Sequence, residues 1–251
     1  ALVIALSIII KTNFIHKKFV EKQNKKDEFS DKPILTGENI LSKCTNSIIS
    51  ISESASELYT SSITNLVKEN RKKMKKILKD VKDLNIQTKE LKYNLYPTLK
   101  KLEEQYIETG QYYVQVLDYL REIAHCIDFI ADPVYQHLDN NHPSLNMEQI
   151  KDIEDLSISV KSFFDEIIGI MKKHDYNDLN KLIEQQHCIL EKIVRMKKKL
   201  IHLVKSESVG TKNTMLYLNL LAESKNLILY SLNMIKSNRD FILSEEPVII
   251  P

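Results

Sequence analysis

From Thr36 to about Leu243, apolar residues recur every three or four positions almost without interruption. This spacing places them along one side of an α-helix and is typical of amphipathic helices packed in a bundle. The chain of 251 residues has only four glycines and six prolines, whereas a β-sandwich or a Rossmann fold needs more turn residues. The sequence therefore predicts an all-α protein.

The apolar pattern divides into six helices of roughly 25 to 35 residues, much longer than the globular average of about 11 to 12. Short breaks between long helices imply antiparallel neighbours, so we expect an elongated six-helix antiparallel bundle. The sequence also predicts where the helices begin and end. Pro97 should kink the second helix, Thr109-Gly110 should close it, and Pro133 should bend or end the third. Asn146 with Gln149 should cap the fourth helix, Asp175 with Asp178 should start the fifth, and Thr211 should start the sixth.

A short motif occurs in both the third and the sixth predicted helix. Tyr113, followed by an apolar pattern and Arg121, matches Tyr217, followed by a similar pattern and Lys225. Such a match predicts two three-helix repeats.

The two ends of the chain differ in composition from the bundle. Residues 1–10 read ALVIALSIII, about half of the roughly 20 apolar residues that a membrane-spanning helix needs. Lysines follow this run, as they do on the cytoplasmic side of a membrane helix. We therefore divide the chain into the end of a transmembrane or membrane-proximal segment (1–20), a polar linker (21–35), the bundle (36–243) and a tail (244–251). The alternative is that the apolar run is simply one more helix of a soluble domain.

Charge and cysteine content narrow the function classes. A formal net charge of +2 gives no reason to expect a nucleic-acid partner. Cys44, Cys126 and Cys188 are far apart at apolar helix positions, which indicates reduced core cysteines in a cytosolic protein. No phosphate-binding glycine loop, G-x-S-x-G or H-E-x-x-H motif is present, so the sequence does not indicate an enzyme.

Acidic side chains on two predicted helices are candidate metal ligands. Asp118, Glu122 and His125 align along one flank of the third helix, and Glu53 and Glu57 share an i, i+4 spacing on the first. Metal sites in bundles use such side chains from facing helices, so these five are candidate ligands of a divalent or trivalent ion. The same spacings also occur among solvated or ion-paired residues, and both interpretations stay open.

Two further polar features need an interpretation. His137, Asn141 and His142 lie in the segment HLDNNHPSL, where histidines can bind a metal or a phosphate but are usually surface residues. The basic tracts RKKMKK (71–76) and RMKKK (195–199) are either solvated helix faces or contacts with anionic lipid.

Two segments resemble a known family: TGQYYVQVLDYLREIAHCIDFIADPVYQHLDNNHPSL (109–145) and KNTMLYLNLLAESKNLILYSLNMIKSNRDF (212–241). They are similar to the PhoU-like region at the C-terminus of bacterial inorganic phosphate transporters, particularly those of Bacteroidetes. The resemblance covers roughly residues 36–243.

The resemblance implies a cytosolic regulatory domain behind a transmembrane phosphate transporter of the inner membrane, with no catalysis of its own and a possible homodimer. PhoU proteins bind metal clusters through an acidic residue, three residues and then Asp. Here Glu53 to Glu57 and Asp118 to Glu122 keep that spacing but end in Glu. The alternative function is a signalling or scaffold helical bundle. A ferritin-like metalloenzyme would need two Glu-x-x-His pairs, and only Glu122 with His125 supplies one.

Overall fold

The computed structural model describes residues 37–100 and 107–243, and all of its long elements are helices. The helices are α1 (Gly37–Val67), α2 (Arg71–Tyr93), the short α3 (Leu95–Leu99), α4 (Ile107–Asp139), α5 (Met147–Lys173), α6 (Leu179–Lys205) and α7 (Thr211–Leu243). No strand occurs among the described residues. The prediction of an all-α protein with six long helices is confirmed. The predicted segments 1–20, 21–35 and 244–251 lie outside the described residues.

Pro97 breaks the second predicted helix rather than kinking it. α2 ends at Tyr93, and after Asn94 the five-residue α3 contains Pro97. The proline ring lacks an N–H and clashes with the carbonyl of the residue four positions earlier, which is Tyr93. The regular helix therefore stops at the residue that the ring would obstruct.

Two predicted interruptions of the next helix do not occur. Gly110 lies inside α4, so the prediction that Thr109-Gly110 closes a helix is wrong. α4 also continues through Pro133 to Asp139. Because Pro133 has no N–H, the carbonyl of Phe129 loses its helical donor, and Asn219 Nδ2 of α7 donates to it instead at 2.7 Å. A side chain from a neighbouring helix thus supplies the missing hydrogen bond.

The start of α5 matches its prediction. The Asn146 side chain accepts from the Gln149 backbone N–H at 2.8 Å, and the Asn146 N–H donates to Gln149 Oε1 at 3.2 Å, which is a capping box. Asp178 precedes α6 as expected, but its side chain makes no capping hydrogen bond. Sequence therefore located both starts, and only one uses the predicted side-chain cap.

α4 and α7 lie antiparallel against each other. Tyr113, near the start of α4, stacks on Phe241, near the end of α7, with ring centroids 5.5 Å apart. Further along the pair, Tyr119 and Tyr230 approach to 6.5 Å. α2 packs on α4, whereas α5 and α6 pack on each other and on α7. The α4–α7 pair thus joins the third helices of the two predicted three-helix repeats.

Several apolar positions of the sequence pattern are exposed. Met215 and Leu218, two apolar residues at helical spacing in the sixth predicted helix, are 63% and 41% exposed, while Leu216 and Tyr217 are buried. Cys44 and Cys126 are buried as predicted, but Cys188 is exposed, so its assignment to the core is wrong. α7 contacts several helices, so its buried positions are not confined to one stripe that periodicity can identify.

Candidate functional site

The candidate metal ligands Glu53 and Asp118 each form an ion pair with a lysine of a neighbouring helix. Lys172 Nζ of α5 lies 2.6 Å from Glu53 Oε1, and Lys92 Nζ of α2 lies 2.7 Å from Asp118 Oδ1. All four side chains are about half exposed. Each lysine occupies a side of the carboxylate that a metal ion would use.

Glu57 borders two cavities, and Asp118 lines neither of them. Glu57 borders a cavity of about 320 Å³ between α1 and α2, together with Asp80 and Asp83. It also borders a second cavity between α1 and α5, which contains Lys161 and Lys172. Within residues 37–100 and 107–243, no three histidine, cysteine, aspartate or glutamate side chains are grouped so that they could hold a metal ion.

Glu122 lies near Cys126, and His125 contacts a residue of its own helix. The thiol of Cys126 hydrogen-bonds Glu223 of α7 and lies near Glu122, and burial, assisted by these two carboxylates, raises the pKa of Cys126 far above its ordinary value. The ring of His125 stacks on Phe129, with centroids 6.2 Å apart. The five predicted ligands therefore lie in separate environments, and the metal site stays a prediction.

The segment HLDNNHPSL forms a more enclosed site than the acidic residues do. A cavity of about 310 Å³ lies where the end of α1, the start of α2, the end of α4 and the loop before α5 meet. Its polar wall contains Glu69, Arg71, His137, His142 and Ser144. This segment was singled out from sequence, but its cavity depends on the α1–α2 turn, which is distant in the chain.

His137 is a buried residue and not the surface histidine that its loop composition suggested. It is only 5% exposed and lies in the last turn of α4. Its Nε2 is 3.0 Å from the Pro143 carbonyl oxygen, which can only accept, so Nε2 carries the proton. Burial lowers the pKa of His137, because the charged ring would be poorly solvated. The ring of His142 lies 5.3 Å away, centroid to centroid.

Polar contacts fix the loop to three helices. Arg71 Nε of α2 lies 2.5 Å from Asp139 Oδ1 at the end of α4. The Ser144 hydroxyl donates to Glu69, and Asn213 Nδ2 of α7 donates to the Ser144 carbonyl at 2.7 Å. The loop is thereby a junction between the two three-helix repeats.

Glu69 and Asn141, which both border this cavity, have positive φ angles of 50° and 51°. This left-handed backbone is uncommon outside glycine, especially for a glutamate. The two connections at this end of the helices thus share an unusual backbone conformation.

The repeat predicted from sequence has a structural counterpart in two buried tyrosines. Tyr113 of α4 hydrogen-bonds Cys44 of α1, and Tyr217 of α7 donates to Asp152 Oδ2 of α5 at 3.2 Å. In each case the third helix of a repeat contacts the first helix. Burial raises the pKa of both tyrosines well above the ordinary value, so both hydroxyls stay protonated donors.

These features define a class: an all-α protein built from two three-helix repeats joined through their third helices. Among solved structures, the chain is similar to the crystal structure of the phosphate transport system regulatory protein PhoU from Streptococcus pneumoniae. The TM-score is 0.68 at 14% sequence identity, and the match covers 82% of this chain and 96% of that chain. This likeness shows a PhoU-like fold, as the sequence resemblance predicted.

No protein-family model matches the chain, and no curated protein matches it. Of the helices in residues 37–100 and 107–243, none combines the length and apolar character needed to cross a bilayer.

Proposed function

We propose that residues 36–243 form a PhoU-like regulatory module that controls phosphate transport across the inner membrane. The observation that carries the proposal is the fold match, which spans nearly the whole length of a phosphate transport regulatory protein. Regulation of this kind needs no catalysis in the module itself. It needs a bundle whose surfaces and junctions respond to a partner or a ligand.

The partner in this proposal is a transmembrane phosphate-transporter domain that precedes the bundle and places it on the cytoplasmic side. Support comes from the apolar run of residues 1–10 and the lysines behind it. The junction around His137 is the region where a signal would pass between repeats, because the loop contacts α2, α4 and α7 there. A bacterial inorganic phosphate transporter with this domain at its C-terminus, acting as a monomer or a homodimer, is the form that the sequence resemblance favours.

Metal binding is a separate part of the proposal. Glu53 with Glu57, and Asp118 with Glu122 and His125, would supply carboxylate and imidazole ligands for a divalent or trivalent ion. In this arrangement Lys172 and Lys92 must first leave Glu53 and Asp118. Elemental analysis of the purified protein after incubation with iron, manganese or magnesium tests this part, and a metal content at the level of a buffer blank would contradict it.

Affinity purification of the complete gene product tests the partner. We expect the bundle to be recovered from the membrane fraction with phosphate-transporter helices, on the same polypeptide or on a co-purifying one. A variant that lacks residues 37–243 controls for attachment by the upstream segment alone. Recovery of the intact product from the soluble fraction, without any transporter, would contradict the proposal.

A further inference from the structure

Basic residues are concentrated on the second helix of each three-helix repeat. α6 carries seven lysine or arginine residues against two carboxylates, and α2 carries nine against three. α4 has the opposite balance, with one arginine against six carboxylates. Since the chain has a formal net charge of only +2, this separation of charge is hidden in the total.

On α6, the basic residues share the outer face with aliphatic side chains. The helix buries Leu182, Ile189, Ile193, Met196 and Leu200 against α5 and α7. On the opposite side, Val194 and Ile201 are 51% and 56% exposed. Val194 and Ile201 are seven residues apart, which is about two helical turns, so their side chains align along the helix axis. The exposed side chains of the C-terminal half of this face, which we call the α6 outer face, are Val194, Arg195, Lys198, Ile201, His202 and Lys205.

The lysines of the α6 outer face are not used in the fold. Lys198 and Lys205 have no ion pair or hydrogen bond with any described residue, and neither does the partly buried Lys197 beside them. Lys199, on the inner flank, instead pairs with Glu148 and Asp152 of α5, at 2.7 and 3.1 Å. The helix thus separates a structural lysine from a group of unpaired ones.

α2 repeats this arrangement. Its outer side exposes Lys72, Lys75, Lys76 and Lys79 near the start, with Ile86 and Tyr93 exposed further along. These four lysines are likewise without an ion pair among the described residues. Unpaired lysines and exposed apolar side chains therefore occur on the second helix of both repeats, interleaved on α6 and one after the other along α2.

We propose that the α6 outer face, with its counterpart on α2, binds the surface of an anionic phospholipid membrane. Such a surface offers diffuse negative charge from the headgroups, with an apolar layer just beneath. Lysine has a long flexible stem, so its ammonium can reach the phosphates while Val194 and Ile201 enter the interface. Solubility does not explain lysines mixed with exposed aliphatic side chains, because exposed aliphatic side chains lower solubility.

A nucleic acid is a poorer match for this face. Recognition of bases and phosphates commonly uses the planar, bidentate arginine guanidinium, and Arg195 is the only arginine of α6. That arginine also lies 3.5 Å from Glu191 of the same helix. Aliphatic side chains between the lysines would contact water in such a complex, whereas a lipid surface covers them.

The absence of tryptophan from the chain allows a direct test. Ile201→Trp places the only indole on the α6 outer face, and Ile158→Trp places it at a position of α5 that is somewhat more exposed, 69% against 56%. Both variants are made in the complete 251-residue chain and mixed with vesicles of phosphatidylcholine, with or without phosphatidylglycerol. We expect a blue shift of emission at position 201 with the anionic vesicles only, and none at position 158.

The apolar residues 1–10 can attach the chain to any vesicle, so vesicle binding alone does not test the proposal. The test is the difference in emission between the indole at position 201 and the indole at position 158. No shift at position 201, or equal shifts at both positions, would overturn the proposal. It would also be overturned if the shift at position 201 appeared without vesicles and grew with protein concentration, since a second copy would then cover the face. A shift with duplex DNA and none with vesicles would assign the face to nucleic acid instead.

Charge reversal gives a second measurement. Lys197→Glu, Lys198→Glu and Lys205→Glu together should lower partitioning onto the anionic vesicles at least about a hundredfold, because loss of each lysine alone accounts for roughly fivefold and each glutamate adds repulsion. The matched control reverses Lys151, Lys173 and Lys225, which are exposed and lie on other helices. Equal losses in both triple variants would show general attraction and contradict a specific face. This inference does not depend on phosphate, so its failure and the failure of the proposed transport role are distinguishable.

Discussion

Tyr59 and Ser224 form a buried hydrogen bond that connects α1 to α7. Their hydroxyl oxygens lie 2.8 Å apart, and both side chains are almost fully buried. A hydroxyl in such a position is stable only with a partner, because burial removes its water. This contact is one of the clearest tests of the packing at the scale of single residues.

Tyr59→Phe should lower the free energy of unfolding by about 1 to 2 kcal/mol, because the Ser224 hydroxyl then loses its partner. Urea unfolding followed by circular dichroism measures this difference. Tyr93→Phe is the control, since Tyr93 is exposed and its hydroxyl has no hydrogen bond among the described residues. Equal stabilities of the two variants would contradict the buried contact.

His137 should make the stability of the protein depend on pH. Its pKa is lowered in the folded state, so the unfolded chain takes up a proton first as pH falls. The contribution of neutral His137 is complete above its ordinary pKa of 6.5 and is lost as pH falls through the lower folded value. His137→Gln retains a donor for Pro143, and we expect a smaller change in urea midpoint between neutral and mildly acidic pH.

The exposed His187 supplies the comparison for this prediction. His187→Gln should leave the pH dependence of the urea midpoint as it is in the natural chain. If His137→Gln also leaves it unchanged, His137 is not the group that titrates between the folded and unfolded states.

The burial and the contacts of individual residues were the hardest features of this protein to predict from sequence. Periodicity placed Cys44 and Cys126 correctly in the core, yet it also placed the exposed Cys188 there. His137 was expected at the surface because its neighbours are polar, but the chain turns back and its ring is covered. The lysine partners of Glu53 and Asp118 come from other helices, and no local pattern reports them.

At the scale of helices, α4 shows how a neighbouring element can override a local signal. Pro133 should disrupt a helix, but Asn219 of α7 replaces the missing donor to the Phe129 carbonyl. α2 has no such replacement described near Pro97, and there the helix ends. Two prolines of the same chain therefore have different effects.

A double-mutant cycle tests this explanation. Asn219→Ala should cost about 0.5 to 1 kcal/mol, because the Phe129 carbonyl loses its donor. The same change made together with Pro133→Ala should cost less, since alanine restores the backbone N–H. Unfolding free energies of the four proteins give the coupling, and strictly additive effects would contradict the role of Asn219.

The helix starts that carry a local chemical signal were predicted well. Asn146 and Gln149 form the expected capping box, and Thr211 begins α7 as expected. Thr109-Gly110 failed as a stop signal because a single glycine costs only about 1 kcal/mol in a helix, which packing against other helices can offset. The starts of α5, α6 and α7 were therefore predictable although only α5 of these has a side-chain cap, whereas a stop that packing overrides was not.

At the scale of the whole molecule, the two three-helix repeats were predictable and their junctions were not. The matching motifs that begin at Tyr113 and Tyr217 indicated the repeat, and both tyrosines contact the first helix of their own repeat. The loop junction around His137 and the packing of the basic α2 against the acidic α4 appear only when distant segments are brought together. The long helices could be predicted from the local sequence pattern. The candidate sites could not, because they depend on how the helices are arranged.

The central claim is that this bundle regulates phosphate transport, and phosphate uptake by cells tests it most directly. Uptake of labelled phosphate is measured over a range of external phosphate, in cells with the intact gene and in cells whose product lacks residues 37–243. We predict that intact cells adjust uptake as external phosphate rises, and that the truncated product transports phosphate without this adjustment. Identical uptake curves in the two strains would contradict the account.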